Sequence, residues 1–272
     1  AVGHALTSAG NVTETRRLCQ RLFELENGAY EGVAWQNLGF VAFDEGDYDQ
    51  AVEHLLRAYE FGEAAPDELF DHVLNPVVLA LFLSSTGRDA TEFIEQALDR
   101  ANAANWPTAV AYANCAAGLD LSYTDATASL GALDRAIQVA AGVGSRRVET
   151  MAQNFKLHGQ SGLLTEGELA VASIDLLQRL QHIGDTSTTL LALSNVIVLL
   201  DKGGRHGTAA VVCGWLDGRS GRNVQTVGDH DSAVSSIRRS VGDQWDQFVD
   251  RGHSMTRNQI IDFVCEELAT ID

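Results

Sequence analysis

Apolar positions between residues 35 and 59, WQNLGFVAFDEGDYDQAVEHLLRAY, recur with the period of a helix, break at one acidic turn, and then recur again. Trp35, Leu38 and Ala42 share one face of a first helix, while Ala51, Leu55 and Ala58 recur at i, i+4, i+7 on a second. The turn between them, Asp44-Glu45-Gly46-Asp47, is acidic and flexible. Small residues at Gly39, Ala51 and Ala58 let the two helices approach closely. The pattern predicts a helical hairpin whose apolar face only a neighbouring unit can cover.

Weaker copies flank this segment. In GNVTETRRLCQRLF, Gly10, Thr15, Cys19 and Leu22 repeat the positions of Gly46, Ala51, Leu55 and Ala58. Downstream, the second-helix face recurs as Ala90, Ile94 and Ala97, then as Ser129, Leu133 and Ala136. It returns twice more, as Ala170, Ile174 and Leu177 and as Ala209, Cys213 and Leu216. The intervals run from about 36 to 41 residues and the motif resembles the tetratricopeptide repeat, whose usual period is roughly 34 residues. The resemblance implies an all-α chain: a right-handed superhelical solenoid of about six hairpins over residues 1–222, closed by a helical cap over residues 223–272. The low proline content, 3 in 272 residues, agrees, as does the near absence of alternating β-branched and aromatic runs.

The longest apolar run, LLALSNVIVLL, is far shorter than the roughly 20 residues that cross a bilayer, and no basic-then-apolar signal opens the chain. A soluble, cytoplasmic protein is expected, and the start at Ala1 reads as a piece cut from a longer one. Cys19, Cys115, Cys213 and Cys265 form no C-x-x-C pair and read as reduced core thiols.

The formal net charge of -18 opposes approach to phosphate backbones. Arg16-Arg17, Arg146-Arg147 and Arg238-Arg239 are isolated pairs without an aromatic platform, so they read as solvated helix faces rather than a nucleic-acid stripe. A protein or peptide partner, another domain of a parent protein, or a small-molecule effector is expected instead, with no membrane and no direct nucleic-acid contact.

No catalytic set emerges. The GRSG around Ser220 and the GQSG around Ser161 lack the spacing of a nucleophile elbow and follow no strand. Asp44, Glu45, Asp47 and Asp49 have the composition but not the order of a calcium loop. Asp229-His230-Asp231 reads as a capping segment rather than a metal site. The sequence therefore predicts no enzyme, cofactor or metal.

The groove lined by first helices is the expected site. Asn37 and Asn195 each stand nine residues before a turn glycine, Gly46 and Gly204, and Asn114 and Asn154 fall close to that position. With their neighbours they define a candidate surface of Gln36, Asn37, Phe40, Gln153, Asn154, Leu157, Ser194 and Asn195. A row of amides can read a ligand's backbone or carboxylate, or can bond the adjacent helix and fix stacking. Asn75, followed by Pro76, reads differently, as a helix N-cap with Pro at the first helical position.

Beyond residue 222 the repeat gives way to three shorter helices. Ile237 and Val241, then Trp245, Phe248 and Val249, then Ile260, Ile261, Val264 and Leu268 supply an apolar side to each, with Thr256 as a cap. The last repeat, with Gly204, Arg205, Ala209 and Ala210, and the tail, with Gly242, Trp245 and Gly252, resemble the C-terminal region of large bacterial LuxR-type and switch-ATPase regulators. They also resemble ATPase-linked class III adenylyl or guanylyl cyclases. The resemblance implies a non-catalytic sensor and scaffold that regulates an effector module, transcriptional or cyclase, through protein–protein interaction. A small-molecule-binding sensor domain of a transcriptional regulator is the alternative.

Overall fold

The computed structural model describes residues 12–25, 30–64, 69–217 and 230–271, and every regular element among them is a helix. Gly10, Ser220 and Asp229, and the expected boundary at residues 222 and 223, lie outside the described residues. The chain divides into two compact units, Ala1–Lys156 and Leu157–Asp272.

The first unit contains α1 (Val12–Phe23), α2 (Glu31–Asp44), α3 (Tyr48–Ala64), α4 (Leu69–Ser85), α5 (Thr91–Ala103), α6 (Pro107–Leu121) and α7 (Ala126–Gly142). The division falls inside α8 (Arg146–Gly159). Each helix from α1 to α6 packs on the next, and α4 also touches α2 and α6, so alternate helices meet each other as well as their hairpin partners.

The spacing expected of the second helices is obeyed closely. Ala51, Leu55, Ala58, Ala90, Ala97, Ser129, Leu133 and Ala136 are buried, as are Thr15 and Cys19 of α1. Two glycines set the closeness of the hairpins. A Cβ built on Gly39 would stand 2.7 Å from Leu55 Cγ, and one on Gly118 would stand 2.5 Å from Leu133 Cγ. Each leucine lies flat on a first helix where only hydrogen leaves room for it.

Three of the turns from first to second helix share one backbone solution. Gly46 has φ 79°, its N–H bonds Phe43 O at 2.9 Å, and the next N–H, of Asp47, reaches Ala42 O at 2.9 Å. Gly87 with Arg88, and Gly204 with Arg205, repeat the same pair of bonds. This left-handed C-terminal motif satisfies carbonyls that the helix end leaves open. The carboxylates of the first such turn are engaged: Asp47 Oδ1 caps Gln50 N at 3.0 Å, Glu45 pairs with Arg16, and Asp49 pairs with Arg88.

One expectation is corrected. Asn75 and Pro76 do not begin a helix; they sit inside α4, and Asn75 is buried. Proline in a helix interior deprives the carbonyl four residues back of its donor. Here that carbonyl belongs to His72, and Arg100 Nη1 of α5 donates to it at 3.1 Å. A side chain from the neighbouring helix restores the missing bond, which is why a local stop signal fails to stop this helix.

The second unit contains α9 (Glu166–Ile183), α10 (Thr186–Lys202), α11 (His206–Asp217), α12 (His230–Val241), α13 (Trp245–Ser254) and α14 (Arg257–Leu268). Capping boxes start α9 at Thr165 with Glu168 and α14 at Thr256 with Gln259, and Asp185 caps α10. Helix α11 is central, packing on α10, α12, α13 and α14. Its core joins Leu177, Leu180, Ile197, Trp215, Ile237 and Ile260. Helices α11 and α13 cross backbone to backbone at two glycines: a Cβ on Gly214 would meet Val249 O at 2.2 Å, and one on Gly252 would meet Val211 O at 2.1 Å.

Candidate functional site

The eight positions expected to line a groove divide between the two units. Gln36, Asn37 and Phe40 lie on α2 and Gln153 and Asn154 on α8 in the first unit; Leu157, also on α8, and Ser194 and Asn195 on α10 belong to the second. Gln36 is buried and donates from Nε2 to Asn75 Oδ1 at 2.9 Å, and Asn75 donates in turn to Ala58 O at 2.5 Å. This amide chain stitches α2, α4 and α3 together. Gln36 is thus engaged by Asn75, a residue outside the expected row.

Asn37 is also buried and turns its Nδ2 back to Val33 O at 2.7 Å, leaving Oδ1 buried without a hydrogen bond. Asn114 makes the same return bond, to Val110 O at 2.8 Å, and accepts from Arg135 Nε at 3.3 Å. Superposing the glycine–leucine contacts of the two hairpins matches Gly118 to Gly39, which sets Asn114 opposite Trp35, two residues out of register with Asn37. Phe40 meets the ring of Phe82 edge-on at 5.2 Å. Gln153 is half-buried with Oε1 lacking a hydrogen bond, Asn154 is buried, and Leu157 packs against the core of the second unit.

In the second unit Ser194 is 1% exposed and its Oγ has no hydrogen-bond partner, while Asn195 beside it is half-buried. His230, which opens α12, reaches the Ser194 backbone, and its Nδ1 is buried without a partner. Burial holds the imidazole below the usual histidine range, more strongly than Asp231 and the Ser194 backbone bond raise it. A neutral ring with one engaged nitrogen offers the other as an acceptor. Sequence reasoning set His230 aside because its flanking aspartates look like a cap; only its packing on α10 brings it to Ser194.

Nucleophilic chemistry finds no support in the thiols. Burial pushes Cys19 up to about 11, Cys213 to about 12 and Cys265 to about 11, and raises Cys115 as well. A thiol so raised stays protonated near neutrality and is a poor nucleophile. Ser161 lies exposed in the turn after α8. Among the described residues no group of three or more His, Cys, Asp or Glu side chains is placed to hold a metal ion, and no helix is long and apolar enough to cross a membrane. No protein-family model matches the chain, and no curated protein matches it.

Proposed function

We propose that this chain is a tetratricopeptide-like repeat domain that works through its surface, a non-catalytic sensor and scaffold regulating a transcriptional or cyclase effector of a larger signalling protein. The observation that carries the repeat reading is the recurrent hairpin contact. Gly39 under Leu55 and Gly118 under Leu133 are the same joint made twice, and α4 touches α2 and α6 as stacked repeats require. Helices α12 to α14, packed on α11, act as the terminal cap of the solenoid in this reading. In the first unit Phe40 and Gln153 are half-buried and keep surface for a partner, whereas Gln36 contributes to stacking.

A second reading rests on its own observation. Ser194 Oγ and His230 Nδ1 are buried polar atoms without partners, on residues joined by the bond from the His230 ring to the Ser194 backbone, and such atoms normally find one. A small hydrogen-bonding effector bound there makes the second unit a metabolite sensor.

Peptide display against the purified chain tests the first reading. The expected result is a set of peptides whose affinity drops in Phe40→Ala and Gln153→Ala while helical circular dichroism is kept. Failure to select any saturable peptide, together with a saturable thermal shift from a small metabolite, replaces it with the second. Duplex DNA at physiological salt is expected not to shift in a gel titration, given the charge of -18.

A further inference from the structure

The acidity of the chain is lopsided. Residues 1–125 carry 20 Asp and Glu against 6 Arg and no Lys, which accounts for 14 of the 18 net negative charges. Arg16, Arg17, Arg57, Arg88 and Arg100 already pair with carboxylates, so little cationic charge is left to offset the rest.

On the same unit, aromatic side chains stand at three helix starts. Tyr30 is the N-cap of α2 and Trp106 the N-cap of α6, and neither side chain makes a capping bond. Phe70 is the second residue of α4. Elsewhere Asp125, Thr165, Asp185 and Thr256 make the capping bond at that position, while Ala90 of α5 and Gln244 of α13 make none. An aromatic residue there forgoes a favourable cap. Tyr30 is 52% and Phe70 46% exposed, so burial does not account for these two rings, whereas Trp106 is half-buried against Val73, Ala101 and Ala109.

Two of the rings touch, and the third stands at the start of a helix in contact with theirs. Phe70 and Trp106 approach to 5.9 Å between centroids. A Cβ on Gly32, two residues after Tyr30, would lie 3.1 Å from Asp71 Cγ, so the starts of α2 and α4 touch between Tyr30 and Phe70. Exposed Glu24, Glu60 and Asp99 lie near the C-terminal ends of α1, α3 and α5, the helices that precede α2, α4 and α6 in the chain.

We propose that this edge of helix starts docks an extended cationic segment of a partner protein, with Arg or Lys side chains laid on Tyr30 and on the Phe70–Trp106 pair and their charge met by Glu24, Glu60 and Asp99. The proposal rests on the interaction-surface reading above and moves the contact from the inner groove to the hairpin edge. Cations are attracted to ring faces, and desolvated pairs gain from flanking carboxylates. Packed helices stand about 8–10 Å apart and a polyproline-II segment advances about 3.1 Å per residue with three residues per turn, so cations at every third residue share one face and match successive seats. The protein uses the same contact internally, with Arg57 4.7 Å over Trp35 and Arg251 4.5 Å over Phe263.

The test is fluorescence anisotropy with a short labelled peptide carrying Arg at every third position and Ser between, and its Glu counterpart as control. The Arg peptide should bind saturably, weaken with salt, and lose about tenfold or more in affinity in Tyr30→Ser and Phe70→Ser. Trp106→Leu, which keeps apolar packing at the cap, should lose affinity while circular dichroism stays helical. Equal binding to all aromatic variants reports attraction to the acidic surface at large and overturns the edge. Loss in Phe40→Ala or Gln153→Ala but not in the edge variants also overturns it, and leaves the interaction-surface reading standing. Absence of saturable binding overturns the cationic partner while peptide display still decides the broader reading.

Discussion

Arg100 on α5 donates from Nη1 to the carbonyl oxygen of His72 at 3.1 Å, the oxygen that Pro76 cannot reach with an amide. The same guanidinium pairs with Glu63 and donates from Nη2 to Gln96 Oε1 at 2.9 Å, and Tyr59 donates its hydroxyl to Gln96 at 2.7 Å. A proline inside α4 is therefore tolerated through α3 and α5, the helices on either side of it in sequence.

Arg100→Leu should cost about 1–3 kcal/mol, the penalty for leaving the His72 carbonyl and its neighbours unmet. In a Pro76→Ala background the new backbone N–H takes over that carbonyl, and the loss should shrink. A urea-denaturation double-mutant cycle reads the coupling. Additivity within about 0.3–0.5 kcal/mol means the two residues are independent and the compensation is not real.

The glycines separate into kinds by what an added methyl meets. Gly118→Ala drives a Cβ onto Leu133 and should cost about 1–3 kcal/mol, part of it recovered when Leu133 is shortened to Ala in the same chain. Gly252→Ala meets Val211 O and Trp215 N, backbone atoms that cannot rotate away, and should be the more severe. Gly131, inside α7 with only the Arg135 guanidinium near, should gain about 0.5–1 kcal/mol on replacement by Ala. Thermal midpoints rank the three, and a Gly252→Ala protein as stable as wild type contradicts the α11–α13 crossing.

Trp35 is held by three partners: Phe23 at 4.7 Å, His54 at 5.3 Å and the Arg57 guanidinium at 4.7 Å. Trp35→Ala should lose about 3–5 kcal/mol. The site also sets a pH dependence. Burial is the largest influence on His54 and lowers it, with Arg57 and Arg16 adding repulsion against Glu53 and Asp47. The unfolded histidine takes up a proton near pH 6.5, the folded one only at lower pH. Stability from this group is thus fully present above about pH 6.5 and is lost as pH falls through the lowered folded value. His158 and His230, also lowered by burial, act with the same sign. Denaturant midpoints between about pH 7 and 5 should fall less steeply in His54→Gln than in wild type, and an identical slope in both removes His54 from this account.

Much of the helical framework was legible because period and small residues act locally. Ala51, Leu55 and Ala58 are buried where the spacing put them, and Thr256 caps the last helix as expected. Pro76 misled because the donor that replaces its missing amide comes from Arg100, in the next helix along the chain. Gly214 and Gly252 look like punctuation in a helical pattern; their use as a backbone crossing depends on two helices meeting, which no single helix encodes. Gln36 shows the same limit at the candidate site, since its neighbour Asn37 suggested a shared amide row while its actual partner, Asn75, lies on α4.

The amides and the serine make opposite forecasts when stability and binding are measured on the same variants. Gln36→Leu leaves Asn75 Oδ1 buried and unmet and should cost about 1–3 kcal/mol, whereas Gln36→Leu with Asn75→Leu removes both partners and should be closer to neutral. Ser194→Ala deletes an oxygen that bonds nothing and should change stability little. If a small effector sits against His230, Ser194→Ala and His230→Phe should both weaken its thermal shift. For a peptide partner the sensitive positions should instead be Phe40 and Gln153 of the first unit, with the exposed second-helix residues Glu53 and Arg57 indifferent. Should Gln36→Ala and Asn37→Ala keep full affinity for an identified partner while losing stability, these two amides belong to stacking alone. Full affinity in Phe40→Ala and Gln153→Ala as well removes the inner groove as the binding surface.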